Sequence, residues 1–88
     1  MDLSGKVAII TGAARGQGEA EARLFAERGA QVVLTDVLVD EGEAVAASIG
    51  AAARFQRHDV GSESDWRATV ELALSEFGRV DALVNNAA

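Results

Sequence analysis

The chain has 88 residues, 49% of them hydrophobic, with no cysteine, no proline and a formal charge of −6. That is enough apolar material for one small globular domain, and it argues against a disordered chain. It excludes a disulfide framework or a thiolate metal site, and its eight scattered basic residues leave no electrostatic footprint for nucleic acid or an anionic membrane.

The first apolar run, Val7–Ile10, is short and β-branched and is followed at once by Gly12, which predicts a buried strand. Such a run is far too short to span a bilayer, and the opening "MDLSGKVAII" lacks the basic and long apolar regions of a signal peptide. A cytoplasmic protein is therefore expected. From Gly18, the residues Gly18, Ala22, Phe25 and Gly29 recur at helical spacing, with Gly29 placed as a left-handed terminator. "QVVLTD" (31–36) predicts a second buried strand, and Gly42, Val45, Ala46 and Ile49 mark one face of a second helix ending at Gly50. "ARFQRHD" (53–59) is a more polar strand, suited to a sheet edge. Ser62 is placed to cap a third helix, with Asp65 completing a capping box, Trp66, Val70, Ala73 and Phe77 as its apolar stripe and Gly78 as its stop. "ALVNN" (82–86) predicts a fourth strand. Strict alternation of strand and helix implies parallel strands joined by right-handed crossovers, an α/β doubly wound sheet of order 3-2-1-4.

The turn after the first strand carries Gly12, Gly16 and Gly18. The backbone N–H groups that open a helix are unpaired, and the helix dipole adds partial positive charge there. A phosphate can sit on that end if no side chain stands in its way. Gly12 permits the tight turn, Gly16 lets a pyrophosphate approach, and Gly18 lets the helix pack closely, so the expected ligand is a dinucleotide. A glycine-rich turn kept for packing alone is the competing reading.

The spacing Gly12-x-x-x-Gly16-x-Gly18, after Thr11, resembles the hallmark of the short-chain dehydrogenase/reductase family. The resemblance extends to Asp59-Val60 after the third strand and to Asn85-Asn86-Ala87 after the fourth, and it covers essentially the whole chain. It implies a Rossmann-like NAD-binding domain and an NAD-dependent oxidoreductase that interconverts a secondary alcohol and a ketone. Asp36 ends the second strand, where a carboxylate accepts from adenosine ribose hydroxyls and repels a 2′-phosphate; the plainer readings are a solvated loop acid or a helix cap. Arg15, before the second glycine, resembles part of an NADP-binding pair, but it cannot remove that carboxylate, so NAD is expected rather than NADP. By resemblance, Gln17 meets the pyrophosphate through its backbone, at a position where the family usually has an aliphatic residue. Asp59 accepts from the adenine amino group, Val60 lies beneath the ring, Asn86 and Ala87 line the adenosine ribose, and Asn85 braces the sheet through backbone hydrogen bonds. Ala88 replaces a family glycine. His58, the only histidine, is read as structural or solvated, and Lys6 as solvated.

The family's general acid/base is a tyrosine with a lysine four residues later, yet the chain has no tyrosine and Lys6 is its only lysine. No catalytic residue is nominated. The chain is expected to be the N-terminal, cofactor-binding part of a single domain of about 250 residues, homo-oligomeric when complete and inactive as these residues alone. A stand-alone nucleotide-binding module and a fold-only relative are the alternatives.

Overall fold

A computed structural model describes residues 1–86 as seven alternating elements. They are β1 (Val7–Thr11), α1 (Gly16–Glu27), β2 (Gln31–Asp36), α2 (Val39–Ile49), β3 (Ala53–Arg57), α3 (Glu63–Phe77) and β4 (Ala82–Asn85). The strands are parallel and ordered β3-β2-β1-β4, as the sequence implies. The chain winds outward from β1 to β3, then crosses back to set β4 on the other flank of β1. This is a doubly wound, Rossmann-like α/β sheet.

β1 is buried along its whole length because both of its faces are covered. Ala8 and Ile10 join Val32 and Leu34 of β2 in a core with Ala22 of α1 and Val45 and Ala46 of α2. Val7, Ile9 and Val33 pack with Ala73 of α3 in a second, smaller cluster. Each fully buried valine, leucine or isoleucine contributes about 1.5–3 kcal/mol relative to an exposed one. Gly42 lets α2 lie directly on β3, since a Cβ there would run into the Phe55 ring. At the end of α1 the Gly29 N–H donates to the Ala26 carbonyl at 3.1 Å and the Ala30 N–H to the Phe25 carbonyl at 3.0 Å. With Gly29 at φ +98°, this is the paired closure that satisfies the last carbonyls of a helix.

Several local expectations change, among them the end of β4, which stops at Asn85 rather than Asn86. α1 begins at Gly16, two residues before Gly18, and β3 ends at Arg57, two residues before Asp59. The apolar stripe of α3 is rotated: Thr69 is buried beside Ala73, while Val70 is 39% exposed. Thr69 turns inward without cost to its hydroxyl, which donates to the Asp65 carbonyl one turn back at 2.9 Å. The Asp65 carboxylate also does not complete a capping box, because it is engaged elsewhere, as described below. On β4, Leu83 is 54% exposed.

Candidate functional site

Every candidate residue within the described part of the chain lies at or just beyond the carboxyl end of a strand. Thr11 leads into the glycine turn, Asp36 ends β2, Asp59 and Val60 follow β3, and Asn85 and Asn86 close β4. The reversal of strand order between β1 and β4 is the topological switch point, where ligands of open α/β sheets bind. Ala87 lies outside the described residues.

The glycine turn is held from behind. The Ala13 N–H donates to the Thr35 carbonyl and the Ala14 N–H to Asp36 Oδ2, each at 3.0 Å. Arg15 occupies the N-cap position of α1 in an extended conformation and supplies no side-chain hydrogen bond to the helix. Its exposed side chain enters no hydrogen bond or ion pair among the described residues. Gly16 has φ +63°, and a Cβ built there meets nothing within 4 Å. The space before the first turn of α1 is thus open, and only glycine adopts that backbone without penalty. Gly18 is the opposite case: a Cβ would strike the Gly12 carbonyl oxygen and come within 3.0 Å of the Ala13 Cα. Gly18 therefore sets how closely α1 abuts the turn, and Gly16 leaves its outer face bare.

Asp36 is half-buried, and its carboxylate does structural service on both oxygens. Oδ2 takes the Ala14 N–H, and Oδ1 takes the Leu38 N–H at 3.1 Å. Asp36 is thus a turn acid rather than a helix cap, since the N-cap of α2 is Leu38 and that helix has no side-chain cap, and its bonds do not exhaust its capacity. A carboxylate has about four lone-pair sites, two of which these bonds use.

Beyond β3 the chain folds into a tight polar knot. Asp59 is exposed, with Oδ1 accepting from the Gly61 N–H at 2.9 Å, as a turn aspartate does. Asp65 Oδ2 accepts from the Asp59 N–H at 2.9 Å and from Arg57 at 3.0 Å. The Val60 carbonyl accepts from the Trp66 indole at 3.0 Å. His58 is only 2% exposed. Its ring meets Trp66 edge-on at 4.1 Å, and Nδ1 lies 3.2 Å from Thr35 Oγ1. Burial pushes the His58 pKa below its usual value, while the carboxylates of Asp65 and Asp59 act against that shift. The reading of His58 as structural is the one realised.

At the switch point the side chains of both asparagines are engaged. Thr11 Oγ1 donates to Asn85 Oδ1 at 2.7 Å and accepts from the Asn86 N–H at 3.0 Å. The Asn86 amide donates to the Thr11 carbonyl at 3.3 Å and to Glu21 Oε1 at 2.6 Å. Gln17 donates to Glu21 Oε2 at 3.4 Å. Asn85 is paired with Thr11 in the β1–β4 ladder, and to the expected backbone bracing it adds this side-chain bond. Glu21 joins the candidate site without having been singled out in the sequence, and Thr11, named there only as the residue before the glycine motif, takes both asparagines. Gln17 and Glu21 stand four apart on one helix, but nothing in the sequence pairs Glu21 with Asn86 across 65 positions.

Neither of the two cavities described includes a candidate residue. One, of about 480 Å³, is lined by Arg23, Ala26, Glu27, Ile49 and Ala52. The other, of about 290 Å³, is lined by residues that include Leu3, Lys6, Phe25 and Asp81. The candidate site is an open sheet edge. Among the described residues no helix is long and apolar enough to cross a membrane.

A doubly wound parallel sheet with a glycine cradle at the end of β1 defines a Rossmann-like α/β protein. The model of the short chain dehydrogenase family matches residues 6–88, and the chain belongs to that family of oxidoreductases. It is 52% identical over 86 residues to the sex determination protein tasselseed-2 of Zea mays, covering 97% of this chain and 26% of that protein. It is 46% identical over 85 residues to a 3-alpha-(or 20-beta)-hydroxysteroid dehydrogenase of Mycobacterium tuberculosis, covering 97% of this chain and 33% of that one. The crystal structure of 3-ketoacyl-(acyl-carrier-protein) reductase from Brucella melitensis complexed with NADH matches with a TM-score of 0.91 and 50% identity, over 93% of this chain and 34% of that one. The chain spans about a third or less of the length of these relatives.

Proposed function

We propose that the 88 residues are the N-terminal, dinucleotide-binding part of an NAD-dependent oxidoreductase that interconverts a secondary alcohol and a ketone. The observation that carries this reading is the bare start of α1. Open space lies before Gly16, and the carboxylate of Asp36 is bonded to the same turn. A pyrophosphate fits the first, where unpaired N–H groups and the helix dipole favour an anion. An adenosine ribose fits the second, since Asp36 keeps acceptor capacity for its hydroxyls. When bound, a nicotinamide dinucleotide supplies hydride transfer.

The chain's own residues bind and orient. The turn Gly12–Gly18 holds the pyrophosphate, with the Gln17 backbone at its centre and Arg15 available on the adenosine side. Asp36 holds the ribose, Asp59 and Val60 meet the adenine, and Asn86 and Ala87 line the adenosine ribose. The phenol and lysine that move the substrate proton belong, on this reading, to sequence beyond these 88 residues, which contain no tyrosine. The keto and hydroxyl substrates in the names of the Brucella and Mycobacterium relatives support the reaction class. A cytoplasmic homo-oligomer is part of the same reading.

Asp36 decides NAD against NADP. A fixed carboxylate close to a 2′-phosphate repels it, and a partly desolvated site strengthens that repulsion. The test is titration of the intact protein, as its source makes it, with NAD⁺ and NADP⁺. The native protein is expected to prefer NAD⁺, and Asp36→Ala to lose that preference. Asp36→Ala also removes two backbone hydrogen bonds, so the informative quantity is the ratio of the two affinities. A ratio unchanged by the substitution would overturn the assignment.

A further inference from the structure

The hydrogen bonds around Asn86 fix which end of its amide faces a ligand. Glu21 Oε1 at 2.6 Å and the Thr11 carbonyl at 3.3 Å are both acceptors. Both must therefore be met by the Asn86 NH₂, which has two N–H groups and so gives up its whole donor capacity to them. The backbone N–H of Asn86 is likewise committed, to Thr11 Oγ1 at 3.0 Å. What the Asn86 side chain has left to offer is the carbonyl oxygen Oδ1, an acceptor.

We propose that Glu21, on the second turn of α1, is a positioning residue that locks the Asn86 amide so that it presents an acceptor to a ribose hydroxyl of the bound dinucleotide. This rests on the reading of Asn86 as a ribose-lining residue. The lock is directional because a carboxylate only accepts, and the short charge-assisted bond from Asn86 is the stronger of the amide's two bonds. A phosphate oxygen, which also only accepts, finds no donor on this side chain, whereas a hydroxyl finds a partner. Gln17 steadies the lever by donating to the second Glu21 oxygen at 3.4 Å. Glutamine at position 17 therefore acts through Glu21, a polar role that an aliphatic residue would not fill.

The test measures affinities of the intact protein for NAD⁺ and for its analogues lacking either the 2′- or the 3′-hydroxyl of the adenosine ribose. Glu21→Ala is expected to weaken NAD⁺ binding about tenfold, the scale of one charge-assisted hydrogen bond. It is also expected to shrink the penalty for deleting one of the two hydroxyls, leaving the other, held by Asp36, in force. Glu21→Gln keeps an acceptor oxygen and is expected to restore both behaviours. A melting curve on each variant checks that it is folded, and Glu21, half-buried on a helix, tolerates either change. The proposal is overturned if Glu21→Ala binds all three ligands as the native protein does. It is overturned equally if Ala and Gln weaken NAD⁺ alike while both hydroxyl penalties persist, which would mark a purely structural contact. Failure of the native protein to bind NAD⁺ would instead remove the dinucleotide reading itself, and this inference with it.

Discussion

Two helices, α1 and α3, begin at strand ends on the same edge of the sheet, and they begin in opposite ways. α3 is closed by its own chain: Ser62 Oγ accepts from the Asp65 N–H at 3.2 Å, and the Asp59–Asp65–Arg57 bonds tie down the turn before it. α1 has no side-chain cap, and the bonds that hold its leading turn come from behind, through Thr35 and Asp36. α2 also lacks a side-chain cap, but Asp40 and Glu41 in its first turn put negative charge at its positive end, whereas α1 has one such acid, Glu19, and it is paired with Arg23. The start of α3 is satisfied locally, whereas the start of α1 stays open at Gly16, as the proposed phosphate site requires.

The sharpest break in that comparison is Gly18→Ala. The added Cβ would strike the Gly12 carbonyl oxygen, which is backbone and cannot swing aside. Overpacking of this kind costs about 1–3 kcal/mol and sometimes more, and here the backbone contact places it at the upper end. A drop in thermal melting temperature measures it, with loss of NAD⁺ affinity as the turn shifts. The next effect is Gly16→Val, which has room but the wrong backbone and the wrong bulk. Its φ of +63° penalises an L-residue by about 1–2 kcal/mol, and the side chain would fill the space proposed for the pyrophosphate. Titration is expected to show at least a tenfold loss of NAD⁺ affinity, the equivalent of about 1.4 kcal/mol. Unchanged affinity would remove the phosphate cradle. Ser62→Ala should do the reverse at α3: about 1 kcal/mol less stability by chemical denaturation, with NAD⁺ affinity untouched.

The fold was legible because its signals are local. The β-branched runs at β1 and β2 and the glycine stops at Gly29, Gly50 and Gly78 each announce themselves within a few residues, and each stop has positive φ in the structure. The candidate site was legible where a backbone requirement selects glycine, as at Gly16 and Gly18. It was illegible where a side chain chooses among distant partners. Asp65 three residues after Ser62 fits a capping box in sequence, but its carboxylate is drawn to Arg57 and the Asp59 N–H once β3 is in place. Val70 fits the apolar stripe, but the packing of α3 on the sheet turns Thr69 inward instead, which its hydroxyl tolerates because it is satisfied by the preceding turn. The Glu21–Asn86 bond exists only after β4 has been set beside β1.

The smallest predicted effect separates the two helix starts by pH. His58 packs against Trp66 at the start of α3, and the charged and titratable groups around it are Asp59 and Asp65, with Arg57 paired to Asp65. Burial lowers its pKa below the ordinary 6.5, and the two carboxylates only partly oppose this. Between the lowered value and 6.5 the unfolded chain binds more protons than the folded one, so stability rises with pH there. The contribution is fully present above 6.5 and is lost as pH falls through the folded pKa. The other shifted carboxyls fall outside this window. Asp2, bonded by Ser4, and Asp81, bonded by Arg79, are both held below the ordinary 3.8. Denaturation midpoints at about pH 7.5 and pH 5.5 should therefore differ in the native protein, with the lower stability in acid. His58→Phe keeps a flat ring against Trp66 and removes the titrating group, so its midpoints should draw together. Equal slopes in the two proteins would place the acid sensitivity elsewhere, and the start of α3 would then be no more sensitive to acid than that of α1.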